Sequence, residues 1–257
     1  MRLNVHWFGP AAGEPLLAIH GVTGHGRRFA AFAPTALPDR RVLAVDLRGH
    51  GRSGWEPPWS LASHLADLRE TLDAEGITEP VDVMGHSFGG LLALALLAAS
   101  PERIRRLVLL DPAIALPASY CAERAHEAVS LTGWESLAQA LAEREAAVAP
   151  PARRFIPAEI AEHVVQGADG RFRARFLPEA AVTAWSEMAA PAPLPATGRP
   201  TLILRALHDD YVQDATLLRP LTAALGHDLD VVGLECSHMI YWEAPDEAAE
   251  AIERFLT

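Results

Sequence analysis

Six short apolar runs alternate along the chain with segments whose apolar residues recur at helical spacing. Most of the runs are nearly continuous rather than interrupted by polar residues, which is typical of parallel strands buried on both faces. They cover residues 16–20, 42–45, 81–84, 104–110, 201–204 and 229–234. This alternation of strands and helices predicts an α/β fold, with a mostly parallel central sheet and helices on both of its faces.

Helical patterns fill most of the chain between these strands. Leucines at helical spacing after Ser60 predict a helix. Serine is a common residue at the start of a helix and glycine at its end, so Ser60 and Gly76 are suited to bound it. Residues 88–99 are apolar on every side, which indicates a helix that is buried all round. Two further helices are predicted at 217–225 and 245–256.

The alternation stops between residues 112 and 199, here called the inserted segment. Its sequence is rich in Ala, Arg and Glu, has a helical pattern, is interrupted by prolines and contains no evident strand. We therefore predict a core domain formed by residues 1–111 and 200–257, with a helical insertion at 112–199.

Composition and charge exclude several classes of protein. With 257 residues, of which 50% are hydrophobic and 21% charged, the chain has enough apolar material for a large core. The formal net charge of -11 argues against a nucleic-acid partner, because phosphate backbones are bound by clustered Lys and Arg. Two cysteines, Cys121 and Cys236, are too few for a disulfide framework or for a zinc site with four thiolates.

The sequence also carries no signal for export or for a membrane span. The first residues lack the pattern of a secretory signal peptide. The longest apolar stretch, 88–99, has about half of the ~20 residues that a membrane-spanning helix needs. We therefore expect a cytoplasmic protein that does not span a membrane.

The strongest local signal for chemistry is Gly85-His86-Ser87-Phe88-Gly89, which lies between a predicted strand and a predicted helix. This context is that of a nucleophile elbow, in which a sharp turn exposes a serine. The turn needs neighbours without side chains, which Gly85 and Gly89 provide. A glycine-rich turn with a helix-capping serine is the alternative interpretation of the same residues.

A second signal, His20-Gly21 at the end of the first predicted strand, points to an oxyanion hole. In the elbow architecture, one backbone donor comes from the residue after the nucleophile and the other from a loop that follows an earlier strand. We expect these donors to be the N–H groups of Val22 and Phe88. The N-terminus of the helix after Ser87 adds a positive dipole end at the same place.

Four motifs together resemble the α/β-hydrolase family with a serine nucleophile. In chain order they are His20-Gly21, Asp46-Leu47-Arg48-Gly49-His50-Gly51-Arg52-Ser53, Gly85-His86-Ser87-Phe88-Gly89-Gly90 and Ser237-His238. They cover the chain apart from the inserted segment, which occupies the place of the family's helical cap. The resemblance implies a serine hydrolase that uses no cofactor and no metal ion and takes a small-molecule ester as its substrate.

The resemblance also assigns a base and an acid to this serine, because the family order is serine, acid, histidine. His238 follows the predicted strand 229–234 and precedes the last helix, which is where the family pattern has the base. Asp209 takes the acid position in that pattern. Ala206 and Gln213 depart from the family's glycine and proline in this loop.

Two other carboxylates remain open as the acid. Asp210 is adjacent to Asp209. Asp111 follows the predicted strand 104–110, where some members of the family carry the acid. It also precedes Pro112, a setting in which aspartate commonly forms a turn.

Large side chains near the site are candidates to contact the substrate, and the inserted segment supplies several of them. The expected contacts are His20, Trp134, Trp185 and Met239. An apolar and closed site favours small to medium, largely apolar esters. Several arginines of the inserted segment are interpreted as a solvated surface; they are Arg153, Arg154, Arg171, Arg173 and Arg175.

The predicted activity is therefore hydrolysis of carboxylic esters through an acyl-enzyme. A lactonase or a carbon–carbon bond hydrolase that uses the same triad stays open as an alternative, because a fold does not fix the reaction. A non-catalytic receptor for a small ligand is a third possibility. Turnover, as opposed to stoichiometric retention of a ligand, separates the receptor from the enzymes.

Overall fold

The computed structural model describes all 257 residues and contains the α/β architecture that the sequence predicts. Seven strands form one sheet; they are β1 (Val5–Phe8), β2 (Glu14–Ile19), β3 (Arg40–Val45), β4 (Val81–His86), β5 (Ile104–Leu110), β8 (Thr201–Ala206) and β9 (Leu229–Leu234), and a separate hairpin pairs β6 (Val164–Gln166) with β7 (Phe172–Ala174). Their order in the sheet is β1-β3-β2-β4-β5-β8-β9. All neighbouring pairs are parallel except β1 and β3.

Ten α-helices accompany the strands, and three of the predicted ones have bounds close to those expected. They are α1 (Ala33–Ala36), α2 (Leu61–Ala74), α3 (Phe88–Ala99), α4 (Ala118–Ser130), α5 (Leu137–Ala146), α6 (Ile156–His163), α7 (Pro178–Met188), α8 (Arg219–Leu225), α9 (Ile240–Glu243) and α10 (Pro245–Leu256). The Ser60 hydroxyl accepts a hydrogen bond from the Ser63 N–H at 3.3 Å, as expected for the cap of α2. The helix predicted at 217–225 is shorter, because a wider π-helical turn at Asp214–Leu218 precedes α8.

The core consists of two apolar layers, one on each face of the sheet. In β2, Leu17 and Ile19 pack into one layer, whereas Leu16 and Ala18 pack into the other, and all four are fully buried. This explains the continuous apolar runs of the sequence, because successive residues of a strand point to opposite faces. Helix α3 lies in the first of these layers, with most of its residues buried.

The inserted segment is mainly helical but also contains the β6–β7 hairpin. The expectation that it has no strand was therefore wrong. Each hairpin strand has only three residues and none of them is fully buried, so no apolar run marks them in the sequence. The edge strand β1 was not predicted for the same reason, since all four of its residues are only half-buried.

The sheet topology determines which loops meet. Because β2, β4, β5, β8 and β9 are parallel, the loops at their carboxyl ends lie along one edge of the sheet. The predicted residues Val22, Ser87, Asp209 and His238 lie in those loops. Among the helices of the structure, none has the length and apolar character to cross a membrane.

Candidate active site

Ser87 occupies a sharp turn between β4 and α3. Its backbone lies at φ 56° and ψ −120°, a region that costs free energy for a residue with a side chain. A Cβ atom on Gly85 would collide with the Gly89 carbonyl, and one on Gly89 would collide with the Ile19 carbonyl. The two glycines are therefore required by the close approach of backbone to backbone, as the elbow interpretation of the sequence expects.

His238 lies in the loop after β9, and its ring binds Asp111. The Nδ1 atom of His238 is 2.6 Å from Oδ2 of Asp111. Asp111 is fully buried at the end of β5, and its other oxygen accepts a hydrogen bond from the Ala206 N–H at 3.0 Å. Because both carboxylate oxygens are engaged, Asp111 holds the imidazole in one orientation, with Nδ1 as a donor and Nε2 left for other partners.

Asp209, the acid expected from the sequence, makes a different contact. Its Oδ2 atom accepts a hydrogen bond from the backbone N–H of His238 at 2.6 Å, so it contacts the main chain rather than the ring. Asp210, the neighbouring alternative, is exposed. The physical reason lies in the topology: β5 is next to β4 in the sheet, and Asp111 ends β5. The geometry thus favours Asp111 over the expected Asp209 as the carboxylate that bonds to the His238 ring.

Two aromatic rings pack on His238, and no sequence motif indicates the contact of Tyr211 with it. Tyr211 stacks on the imidazole with 3.9 Å between ring centroids and 16° between planes. The Tyr211 hydroxyl bonds to the hydroxyl of Tyr120 in α4 at 2.7 Å, and burial together with this bond raises the pKa of Tyr211. His86 lies 4.6 Å from His238 between centroids and its Nε2 donates to the His238 carbonyl oxygen at 2.9 Å. These contacts fix the position of the His238 imidazole.

His20 fixes the backbone of the expected oxyanion loop. Its Nδ1–H donates to the Gly21 carbonyl oxygen at 2.7 Å, and its Nε2 accepts from the Leu47 N–H at 2.9 Å. Burial lowers the pKa of His20 well below its usual value, so the ring is neutral, as these two bonds require. The C=O and N–H of one peptide unit point in opposite directions. The bond to Gly21 therefore orients the N–H of Val22.

The expected oxyanion donors lie close to the serine. A Cβ atom on Gly21 would come within 2.8 Å of the Ser87 Cβ and 3.2 Å of its Oγ, so the loop with Val22 runs directly beside Ser87. Phe88 is the first residue of α3, and its N–H has no acceptor within the helix. The loop that carries Val22 and the first residue of α3 are thus both adjacent to Ser87.

A buried charged cluster, formed by Glu159 and His163 of α6 with His25 and Arg28, links the inserted segment to the loop after β2. The Glu159 carboxylate accepts from Arg28 Nε at 2.9 Å and lies 2.7 Å from Nε2 of His25. Burial alone would raise the pKa of Glu159, but the charge of Arg28 and the bond from His25 hold it well below its usual range. His163 donates from Nε2 to the Thr23 carbonyl oxygen at 3.1 Å.

This cluster was not predicted from the sequence, because its two halves, His25 with Arg28 and Glu159 with His163, are more than 130 residues apart in the chain and lie in no motif. Thr23, which follows the expected donor Val22, has a backbone φ of 63°. A residue other than glycine adopts this region only when its surroundings impose it. The bond from His163 to the Thr23 carbonyl is one such constraint.

The four expected substrate contacts have different surroundings. His20 is fully buried with both ring nitrogens bonded, so it positions the loop and has no face left for a substrate. Trp185 is 8% exposed and packs edge-to-face on Tyr120 within the core. Met239 is partly buried against the other core layer. Trp134 lines a cavity of the inserted segment and donates from its indole N–H to Glu143 at 2.8 Å.

Comparisons with known proteins point to one family. A family model described as the alpha/beta hydrolase fold matches residues 14–134. The chain is 39% identical to the lipase LipV of Mycobacterium tuberculosis, over 97% of this chain and 96% of that protein. It is 27% identical to the esterase YbfF of Escherichia coli, over 95% of this chain and 93% of that protein.

The solved structures show the same fold. A marine microorganism esterase superimposes with a TM-score of 0.79 over 99% of both chains at 22% sequence identity. An identity at this level establishes the architecture and leaves the reaction to be argued from the site.

Proposed function

The chain belongs to the α/β-hydrolase family, and on that premise we propose that it is a serine hydrolase that cleaves carboxylic esters through an acyl-enzyme. The observation that carries this proposal is the Asp111–His238 pair at 2.6 Å beside the strained elbow that holds Ser87. A serine hydroxyl is a poor nucleophile unless a base removes its proton and an acid keeps that base in the correct tautomer. These three residues supply the nucleophile, the base and the acid.

In the proposed mechanism, Ser87 Oγ attacks the ester carbonyl while Nε2 of His238 takes its proton. Asp111 stabilises the imidazolium that forms, because it is buried and already bonded to Nδ1. The N–H groups of Val22 and Phe88 bind the oxyanion, and removal of one such donor typically costs ~10²–10³ in rate. His238 then protonates the leaving alcohol, and a water molecule releases the acid from Ser87 by the reverse sequence of proton transfers.

Asp209 has a supporting role in this mechanism. Its bond to the backbone N–H of His238 holds the loop after β9, whereas Asp111 holds the ring. Tyr211, two residues further on, packs against the flat face of the same ring. The base is thus constrained by its main chain, by its ring edge and by its ring face.

The substrate class is proposed from the relatives and from the inserted segment. Two relatives that match almost the whole chain are named a lipase and an esterase, which supports an ester bond as the target. We assign residues 112–199 as a cap over the core domain, because α6 bonds to the loop after β2 and α4 bonds to Tyr211 beside His238. A covered site of this kind favours small to medium, largely apolar esters over bulk lipid.

Turnover of p-nitrophenyl acetate and butyrate tests the proposal. Ser87→Ala removes the nucleophile and is expected to lower kcat by at least ~10⁴-fold. Ser186→Ala, which removes an exposed hydroxyl from α7, is the matched control and is expected to leave turnover unchanged. Retention of most activity by Ser87→Ala would contradict the mechanism. Ligand retention without turnover by the unmodified protein would favour the receptor.

A further inference from the structure

A cavity of about 770 Å³ lies between the inserted segment and the loop after β2. Its wall includes Thr23, the residue that follows the proposed oxyanion donor Val22. From there it extends to Trp134 and Arg144 in the inserted segment. The cavity thus begins one residue from Val22, and its volume is within the range of small-molecule ligand sites.

The wall combines apolar side chains with charged groups. Ile160, Val164, Phe176 and Leu177 supply apolar surface. The charged residues of the wall are Arg28, Arg144, Arg171, Arg173, Glu143, Glu159 and Glu179. Such a wall suits a molecule with an apolar body and one charged end, provided that one of these charges is free to bind it.

Most of the charged groups in the wall are already bonded to protein atoms. Arg28 binds Glu159, Arg173 binds Asp169, and Arg171 donates to two backbone carbonyl oxygens. Glu143 accepts from the indole N–H of Trp134 and from the Gln139 amide. Glu179 is exposed in the first turn of α7.

Arg144 differs from the other three arginines of the wall. It is partly buried in the last turn of α5, and its guanidinium has no hydrogen-bond or ion-pair partner in the structure. Burial lowers the pKa of Arg144, the charge of Arg28 lowers it further, and the charge of Glu159 partly offsets both effects. Arginine stays protonated in proteins. The cavity wall thus holds a cation whose donors are all free.

A partly buried cation without a partner costs free energy, which an anionic ligand recovers. Glu159 is engaged by Arg28 and His25, and neither Glu143 nor Glu179 bonds to Arg144, so no protein carboxylate pairs with Arg144 in the structure. A guanidinium donates two parallel N–H bonds to a carboxylate, which fixes both its position and its orientation. The chain as a whole has a net charge of -11, so attraction of an anion has to come from a local group such as this one.

We propose that this cavity is a substrate subsite in which Arg144 binds a carboxylate, so that the protein prefers esters with one free carboxylate on an otherwise apolar body. The proposal rests on the proposed function and refines its substrate class. It gives Arg144 a role in specificity without a role in the chemical step.

Two pairs of esters test the proposal. Monoethyl glutarate and ethyl 4-carbamoylbutanoate differ only in a carboxylate or carboxamide at the end of the acyl group. The pair 4-acetoxybutanoate and 4-acetoxybutanamide has the same difference on the alcohol side. The kcat/KM of each is measured by chromatography of the products. In at least one pair we expect the carboxylate ester to be preferred by about tenfold or more, as for a hydrogen bond to a charged group.

The substitution Arg144→Gln is expected to lower this preference by about tenfold, whereas Arg144→Lys retains part of it because the charge remains. Arg153→Gln is the matched control. Arg153 is exposed and lies outside the cavity wall, and its substitution changes the net charge by the same amount. Its preference should equal that of the unmodified protein. A second measurement needs no variant and compares butanoate with butanamide as inhibitors of p-nitrophenyl acetate turnover. The concentration that halves turnover should be at least tenfold lower for butanoate.

The outcomes separate this proposal from the proposed function. Turnover of p-nitrophenyl acetate without a preference for carboxylate in either pair would overturn the subsite and leave the esterase intact. An equal loss of preference in Arg144→Gln and Arg153→Gln would also overturn it, because that result indicates an effect of net charge alone. Absence of turnover of every ester would overturn both proposals.

Discussion

At the level of single residues, the two carboxylates around His238 have different partners and therefore different expected roles. Asp111 bonds to the ring at 2.6 Å, and Asp209 bonds to the backbone N–H at 2.6 Å. Ser87 and His238 could be proposed from the sequence because each lies in a local motif. Asp111 could not be singled out in this way, because Asp111-Pro112 is also typical of a simple turn and its contact with His238 depends on the order of strands in the sheet.

The substitution Asp111→Asn is expected to lower kcat by about 10⁴-fold, because an amide at Nδ1 favours the wrong tautomer of the base. Asp209→Asn is the matched control. Its amide oxygen still accepts from the His238 N–H, so we expect a loss of no more than about tenfold. The measurement is kcat for p-nitrophenyl acetate. A larger loss in Asp209→Asn than in Asp111→Asn would restore the assignment expected from the sequence.

At the level of secondary structure elements, the strands with continuous apolar runs were predicted best. The strand 104–110 and the helix 245–256 have the expected bounds, since burial on both faces of a strand, or along one face of a helix, leaves a clear pattern. The hairpin β6–β7 was missed because strands of three residues, none of them fully buried, leave no such pattern. The contacts of α6 with the core could not be predicted either, because no local sequence pattern indicates a contact with a residue about 130 positions away.

The buried contact of α6 with the core has a measurable consequence for stability. Glu159→Gln removes the charge that pairs with Arg28, whose side chain is only 7% exposed. Loss of one partner from a buried pair leaves an uncompensated charge, so we expect the free energy of unfolding to fall by about 3 kcal/mol or more. Urea denaturation measures this change.

The control for Glu159→Gln is Asp169→Asn, which breaks the exposed pair of Asp169 with Arg173 in the β6–β7 hairpin. Exposed pairs contribute little to stability, so this variant should unfold at nearly the same urea concentration as the unmodified protein. Equal effects of the two substitutions would show that the contact of α6 with the core does not depend on its charges.

At the level of the whole molecule, several buried histidines make stability depend on pH. Burial lowers the pKa of His50 to about 4 and that of His64 to about 3, and it lowers those of His20, His86 and His163 as well. In the unfolded chain a histidine has its ordinary pKa of about 6.5. Between these values the unfolded state binds more protons than the folded state, so acid favours unfolding.

We therefore expect the free energy of unfolding to be greatest above about pH 6.5 and to fall steadily as the pH approaches 4. His64→Leu removes one buried imidazole, whose Nδ1 has no partner, and should reduce this slope. His126→Gln, at an exposed position of α4, is the control and should leave the slope unchanged. Urea denaturation between pH 4 and pH 8 gives the slope directly, and a slope that His64→Leu leaves unaltered would contradict the explanation.

The most direct test of the central claim is covalent labelling of the protein with a fluorophosphonate probe, followed by intact mass measurement and peptide mapping. An activated serine reacts with such a probe because a base and an oxyanion hole act on it together. We expect one probe per chain, located on Ser87, and no labelling of Ser87→Ala. Absence of labelling, or labelling at another residue, would contradict the assignment of Ser87 as the nucleophile.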